Sequence, residues 1–204
     1  MKWLYPILFC PLLLAADNSP RVYYSKSFPG SVPAYVSITI DREGAGEYRE
    51  APDDESPLKF TVKDPDISQI FDLTDKLDRF KHPLESPLKV AFMGTKTFRF
   101  EGAGEKAEVK FNFSEDPVAR DLTDCFEKIS ESEQHRISLE RAAKYDKLGV
   151  MKALLQFESS WDRKRVVAAD QFLPILDRIA KNESYLHEAR LRAAKMADAI
   201  RAAK

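Results

Sequence analysis

From residue 36 to residue 40, Val36, Ile38 and Ile40 alternate with Ser37 and Thr39, and Leu58, Phe60 and Val62 alternate with Lys59, Thr61 and Lys63. A period of two predicts strands of a sheet with one buried face. The pattern returns in Leu88, Val90 and Phe92, again in Phe98 and Phe100, and finally in Val109, Phe111 and Phe113. After each set the spacing becomes helical. Ile67, Ile70, Phe71, Leu73, Leu77 and Phe80 form one apolar stripe, and Val118, Leu122, Cys125, Phe126 and Ile129 form another. Each stripe follows an Asp-Pro pair, Asp64-Pro65 and Asp116-Pro117, and an acid with a proline in the first turn is favoured where helices begin.

These events recur in order. SPRVYY from Ser19 matches SPLKVAF from Ser86, EGAGE from Glu43 matches EGAGE from Glu101, KFTVKDP from Lys59 matches KFNFSEDP from Lys110, and DLTDKLDRF from Asp72 matches DLTDCFEKI from Asp121. The offsets of 67, 58, 51 and 49 residues fall steadily, as loop shortening in a second copy would produce. The chain therefore reads as two tandem βββα repeats, at residues 19–81 and 86–130. Neither EGAGE is followed by the lysine-serine pair of a phosphate loop, and neither opens a helix. Both glycine pairs are expected to be sharp corners between strands.

From about residue 131 the strand period stops, and no proline occurs until Pro174. Leu139, Ala143, Val150, Leu154 and Phe157 share one helical face, while Leu148, Met151 and Leu155 share the opposite one. A helix apolar on both sides must be sandwiched. Beyond the polar stretch SSWDRKR, Phe172, Leu176 and Ile179 line one face, Lys181, Asn182 and Glu183 make a turn, and Leu186, Ala189, Ala193, Met196, Ile200 and Ala203 form a close-packing seam. The resulting expectation is an α+β protein: a mostly antiparallel sheet with helices on one face over residues 17–130, then an α-helical tail ending in a helical hairpin over 131–204.

Residues 1–16, MKWLYPILFCPLLLAA, place one lysine before twelve uncharged, mostly apolar residues and end on two alanines. This predicts a secretory signal and a secreted or periplasmic protein. The run is too short to span a bilayer, so no stable membrane helix is expected once it is removed. Phe9, before Cys10, is not the small residue a lipid anchor needs. Signal removal leaves Cys125 as the sole cysteine, expected in a core.

The formal net charge of -1 offers nucleic acid no general attraction, so it is not an expected partner. His82, His135 and His187 have no second histidine or cysteine at ligand spacing. There is no GxSxG, CxxC or glycine-rich strand-to-helix loop, and the acidic run EAPDDESP lacks the spacing of a calcium loop. No catalytic residue, metal or cofactor is assigned from these patterns. Tyr23, Tyr24, Phe28, Tyr35 and Trp161 are the candidate contact surface, since aromatic residues supply contact area in interfaces. A non-catalytic binding or assembly protein with a protein partner is the leading expectation, its oligomeric state left open. An envelope enzyme of hydrolase type, with a cleft between the repeats, and a carrier of a small apolar ligand are the alternatives.

Overall fold

A computed structural model describes residues 19–102 and 104–203; the expected signal over 1–16 lies outside the described residues. Strands β1 (Arg21–Ser27), β2 (Tyr35–Asp41), β3 (Ala45–Arg49), β4 (Leu58–Thr61), β5 (Thr95–Gly102) and β6 (Glu105–Phe111) form one sheet in the order β4-β3-β2-β1-β5-β6. Every neighbouring pair is antiparallel. The helices are α1 (Asp66–Lys76), α2 (Pro117–Tyr145), α3 (Val150–Asp162), α4 (Leu173–Lys181) and α5 (His187–Ala202). The fold is α+β, with a helical C-terminal part.

Alternation sets the layers. Register places Val22, Tyr24, Ile38, Ile40, Tyr48, Phe60, Phe98 and Phe100 on one face of the sheet, where they pack with Ile70 and Phe71 of α1 and Leu122, Phe126 and Ile129 of α2. The opposite face carries Tyr23, Thr39, Glu47, Lys59, Arg99 and Glu108. A second core joins Leu139 of α2 to Val150, Leu154 and Phe157 of α3, Leu176 and Ile179 of α4, and Ala193, Met196 and Ile200 of α5.

The two EGAGE segments do turn corners, between β2 and β3 and between β5 and β6. They turn differently. The glycine at positive φ is the first of the pair in one copy, Gly44 at 83°, and the second in the other, Gly104 at 80°. A Cβ on Gly44 would collide with the Val62 carbonyl oxygen, whereas one on Gly104 would meet nothing within 4 Å. Gly104→Ala is therefore expected to cost only the left-handed backbone penalty, about 1–2 kcal/mol in urea melts. A larger loss would mean the open turn is packed.

The copies do not trace the same path. The first supplies four strands and the second two, because residues 88–92 form no strand and β6 alone follows the second EGAGE corner where β3 and β4 follow the first. Their backbone is held by a side chain instead of a ladder: Asn112 donates from Nδ2 to the Ala91 carbonyl at 3.1 Å and accepts from Met93 N at 2.7 Å. Leu88 and Phe92 are left largely exposed. The expected break near residue 130 is also absent. Asp116 caps α2 by accepting from Val118 N and Ala119 N, and no glycine or proline interrupts residues 118–145, so one 29-residue helix runs from the first core to the second.

The predicted sandwiched helix over 139–157 is in fact the end of α2 and the start of α3, reversing at residues 146–149. Gly149 N donates to Asp146 Oδ1 at 3.0 Å across that turn. Leu148 and Leu155 are consequently exposed rather than buried. After α1, Asp78, Arg79 and Phe80 take φ of 46°, 51° and 67° in succession. A left-handed run of three non-glycine residues costs about 1–2 kcal/mol each. It is offset by burying Phe80, whose ring stacks on Phe98 at 5.1 Å, and by Arg79 bonding Asp75 and Glu105, each at 2.9 Å.

Candidate functional site

The five aromatic candidates do not form one surface. Tyr23 and Tyr35 lie on the uncovered sheet face with hydroxyls 3.0 Å apart, and the Arg99 guanidinium sits 4.2 Å from the Tyr23 ring centroid. Tyr24 is fully buried, because a strand sends adjacent side chains to opposite faces. Phe28 is half-buried beyond the end of β1 and meets Phe92 edge-on. Trp161 packs against the second core from α3.

The corrected position of Tyr24 leads to a cavity. Its ring stacks on Phe126 at 5.0 Å, and its hydroxyl is buried with no hydrogen-bond partner. Burial pushes the phenol far above its ordinary pKa, so the group is a neutral donor. It lines a cavity of about 310 Å³ between β1, the turn at residues 31–33 and α2, together with Lys26, Glu127, Ser130, Gln134 and Arg165. Four of these five are polar groups drawn from helix α2 or the loop after α3, and Lys26 ends the buried row of β1.

The charges around this cavity are paired. Lys26 Nζ donates to Glu127 Oε1 at 3.1 Å, and Arg165 donates to Glu131 at 2.5 Å and Asp124 at 2.8 Å. Burial pushes the Asp124 and Glu131 carboxyls up, but hydrogen bonds from Lys128 and Arg165 to the first, and from Ser160 and Arg165 to the second, outweigh it and hold both below their ordinary values. Gln134 Nε2 donates to the Tyr48 hydroxyl and to Ser130 Oγ, fixing one wall.

Next to it lies a serine, histidine and glutamate cluster. Ser160 Oγ gives its single proton to Glu131 Oε1 at 2.7 Å, so His135 Nε2, 2.9 Å away, must donate to it, as Arg163 does at 3.2 Å. With His135 and Arg163 on its oxygen, both lone pairs of the hydroxyl are engaged and none is directed at a substrate. The cluster ties α2 to α3. Burial lowers the His135 pKa despite nearby Glu131, and burial pushes the Cys125 thiol up to about 11, which leaves it protonated and unreactive.

A second polar network lies deeper. Glu133 of α2 is 1% exposed; Gln171 donates to it at 2.7 Å, and the Arg136 guanidinium lies 3.1 Å away while also donating to Gln171 Oε1 and the Lys59 carbonyl. Burial pushes the Glu133 carboxyl up to about 7, against the pull of Arg136. Sequence reasoning missed this network and the cavity alike. The readable signal was phase: Lys26 falls in step with Val22 and Tyr24, and Lys96 in step with Phe98 and Phe100, so both lysines had to face inward.

Among the described residues, no group of three or more His, Cys, Asp or Glu side chains is placed to hold a metal ion, and no helix is long and apolar enough to cross a membrane. No protein-family model matches the chain, and no curated protein matches it significantly.

Proposed function

We propose that this chain is a non-catalytic binding protein, acting outside the cytoplasm, that takes a small polar ligand in the cavity beside Tyr24. The unpartnered Tyr24 hydroxyl carries the reading. Leaving a buried hydroxyl unsatisfied costs about 1–3 kcal/mol, which a phenylalanine would avoid, and Tyr24 lines a cavity whose walls set polar Lys26, Glu127, Gln134 and Arg165 beside apolar Val32, Pro33 and Val36. A ligand acceptor there would satisfy it. The pattern of residues 1–16 supports the extracytoplasmic location.

The same geometry argues against general-acid chemistry at this place. Glu127, Glu131 and Asp124 each face a cation, and hydrogen bonds hold Glu131 and Asp124 below their ordinary values, so neither of these two is poised to give up a proton at neutral pH. The lone pairs of the Ser160 hydroxyl are both engaged by donors.

The test is a thermal-shift screen of the mature chain against free amino acids, sugars and small carboxylates, repeated on Tyr24→Phe. A ligand at 100 times its Kd adds about 2.7 kcal/mol of stability. The variant is expected to be more stable than wild type by about 1 kcal/mol without ligand and to lose the ligand response. A ligand that stabilises Tyr24→Phe as strongly as wild type, or a screen in which none stabilises either, would sink the reading.

A further inference from the structure

Lys26 of β1 and Lys96 of β5 stand directly opposite each other in the antiparallel register, on the helix-covered side of the sheet. Like charges directly across a ladder repel, and Lys96 is only 8% exposed, a degree of burial that lysines reach almost only when paired. Lys26 has Glu127. Among the described residues Lys96 has no carboxylate at ion-pair distance: its ammonium donates to the Asn112 carbonyl at 2.8 Å and lies 5.9 Å from the Phe111 ring centroid. Sequence and packing have placed a cation here without its counter-charge.

Both lysines line a cavity of about 250 Å³ that is separate from the tyrosine cavity except for the shared Lys26 and Glu127. Arg120, exposed on α2, is its third cation. Two carboxylates line the same wall, and both are engaged: Asp124 by Lys128 and Arg165, and Glu127 by Lys26. Glu85 acts on Lys96 only through its field, since its carboxylate accepts from Asn112 N. The lining therefore carries three cations against two occupied anions.

We propose that this second cavity is an oxyanion site, holding a phosphate or carboxylate group of a small ligand between Lys96, Lys26 and Arg120. An anion bridging the two lysines replaces their mutual repulsion with two attractions and supplies Lys96 with the partner that burial otherwise demands. Burial, with Lys26 adding to it, holds Lys96 below the ordinary lysine pKa, as expected of a cation without a counter-ion. Lysine ammonium groups act as point charges, so the site needs no planar, forked partner. The tyrosine hydroxyl plays no part, and the site stands whether or not the first cavity is occupied.

The experiment titrates inorganic phosphate and, separately, succinate into the mature chain at constant ionic strength, following binding by calorimetry and the backbone amide signals of residues 112–114. Saturable binding of one or both is expected; which one saturates identifies the source of the oxyanion. Lys96→Met should weaken the Kd about tenfold or more, since the loss of a charge-assisted bond is of that order. Arg120→Gln should weaken it several-fold, and Tyr24→Phe should leave it unchanged. Because Arg120 is exposed, its variant keeps the test readable even if Lys96→Met fails to fold. Absence of saturation by either anion, or wild-type affinity in both charge variants, would overturn the proposal, as would a Lys96→Met chain that is merely more stable and binds equally well.

Discussion

Replacing Phe98 with alanine is expected to lower the unfolding free energy by about 3–5 kcal/mol, the range for removing a fully buried phenylalanine. Phe98 has no exposed surface, and its ring meets Tyr24 at 5.7 Å, Phe80 at 5.1 Å, Phe111 at 5.2 Å and Phe126 at 6.1 Å. It is the point where β1, β5, β6, α2 and the left-handed turn converge. Deleting it leaves a void that four rigid rings cannot close without moving, and one of them carries the Tyr24 hydroxyl. Phe92→Ala is the control, since that ring is more than half exposed and surface changes usually stay within about 0.5 kcal/mol. Chemical denaturation of both variants decides it: a loss below about 1 kcal/mol for Phe98→Ala would contradict the packing described.

Raising the pH from 5 to 8 is expected to remove up to about 3 kcal/mol of stability through Glu133 alone, because each pH unit separating its folded and unfolded titration midpoints is worth about 1.4 kcal/mol. Its carboxyl titrates near 7 in the folded chain against an ordinary value of 4.5. Between those values the folded state keeps a proton that the unfolded state has released, so stability falls as pH rises and levels off above about 7. The contribution is present in full below the unfolded value. His135 works in the opposite direction, because its folded pKa is depressed and the unfolded chain binds the extra proton just below neutrality. The difference between wild type and Glu133→Gln isolates the glutamate. That difference should grow steadily from pH 5 to 7; parallel pH profiles for the two proteins would refute the assignment.

Much of the sheet was legible because alternation is local information. Val36 to Ile40, Leu58 to Phe60, and Phe98 with Phe100 all occupy strands with the expected inward residues. β3 was hidden because its five residues include Gly46, whose missing side chain makes room for the Phe60 ring. Residues 88–92 show the reverse error. They alternate well, yet Asn112 captures their backbone, an event that depends on a side chain nineteen or more positions away. The shared letters of the two copies likewise could not reveal that the positive-φ glycine moves from the first to the second of its pair. As for the site, Lys26 and Lys96 were readable as charges in apolar phase. Glu127, Gln134 and Arg165 were not, because their convergence needs α2 laid across the sheet and the loop after α3 brought back beside it.

Helix α2 gives the chain a single spine of roughly 43 Å, at 1.5 Å per residue. Its middle is already committed to the strands past residue 130: Gln134 reaches the Tyr48 hydroxyl and Arg136 reaches the Lys59 carbonyl, while Tyr185 anchors the far end by donating to the Ala143 carbonyl. The two halves are therefore not interchangeable cassettes. Any rearrangement of genes that joined the sheet to a different C-terminal piece would have to carry the whole spine with it.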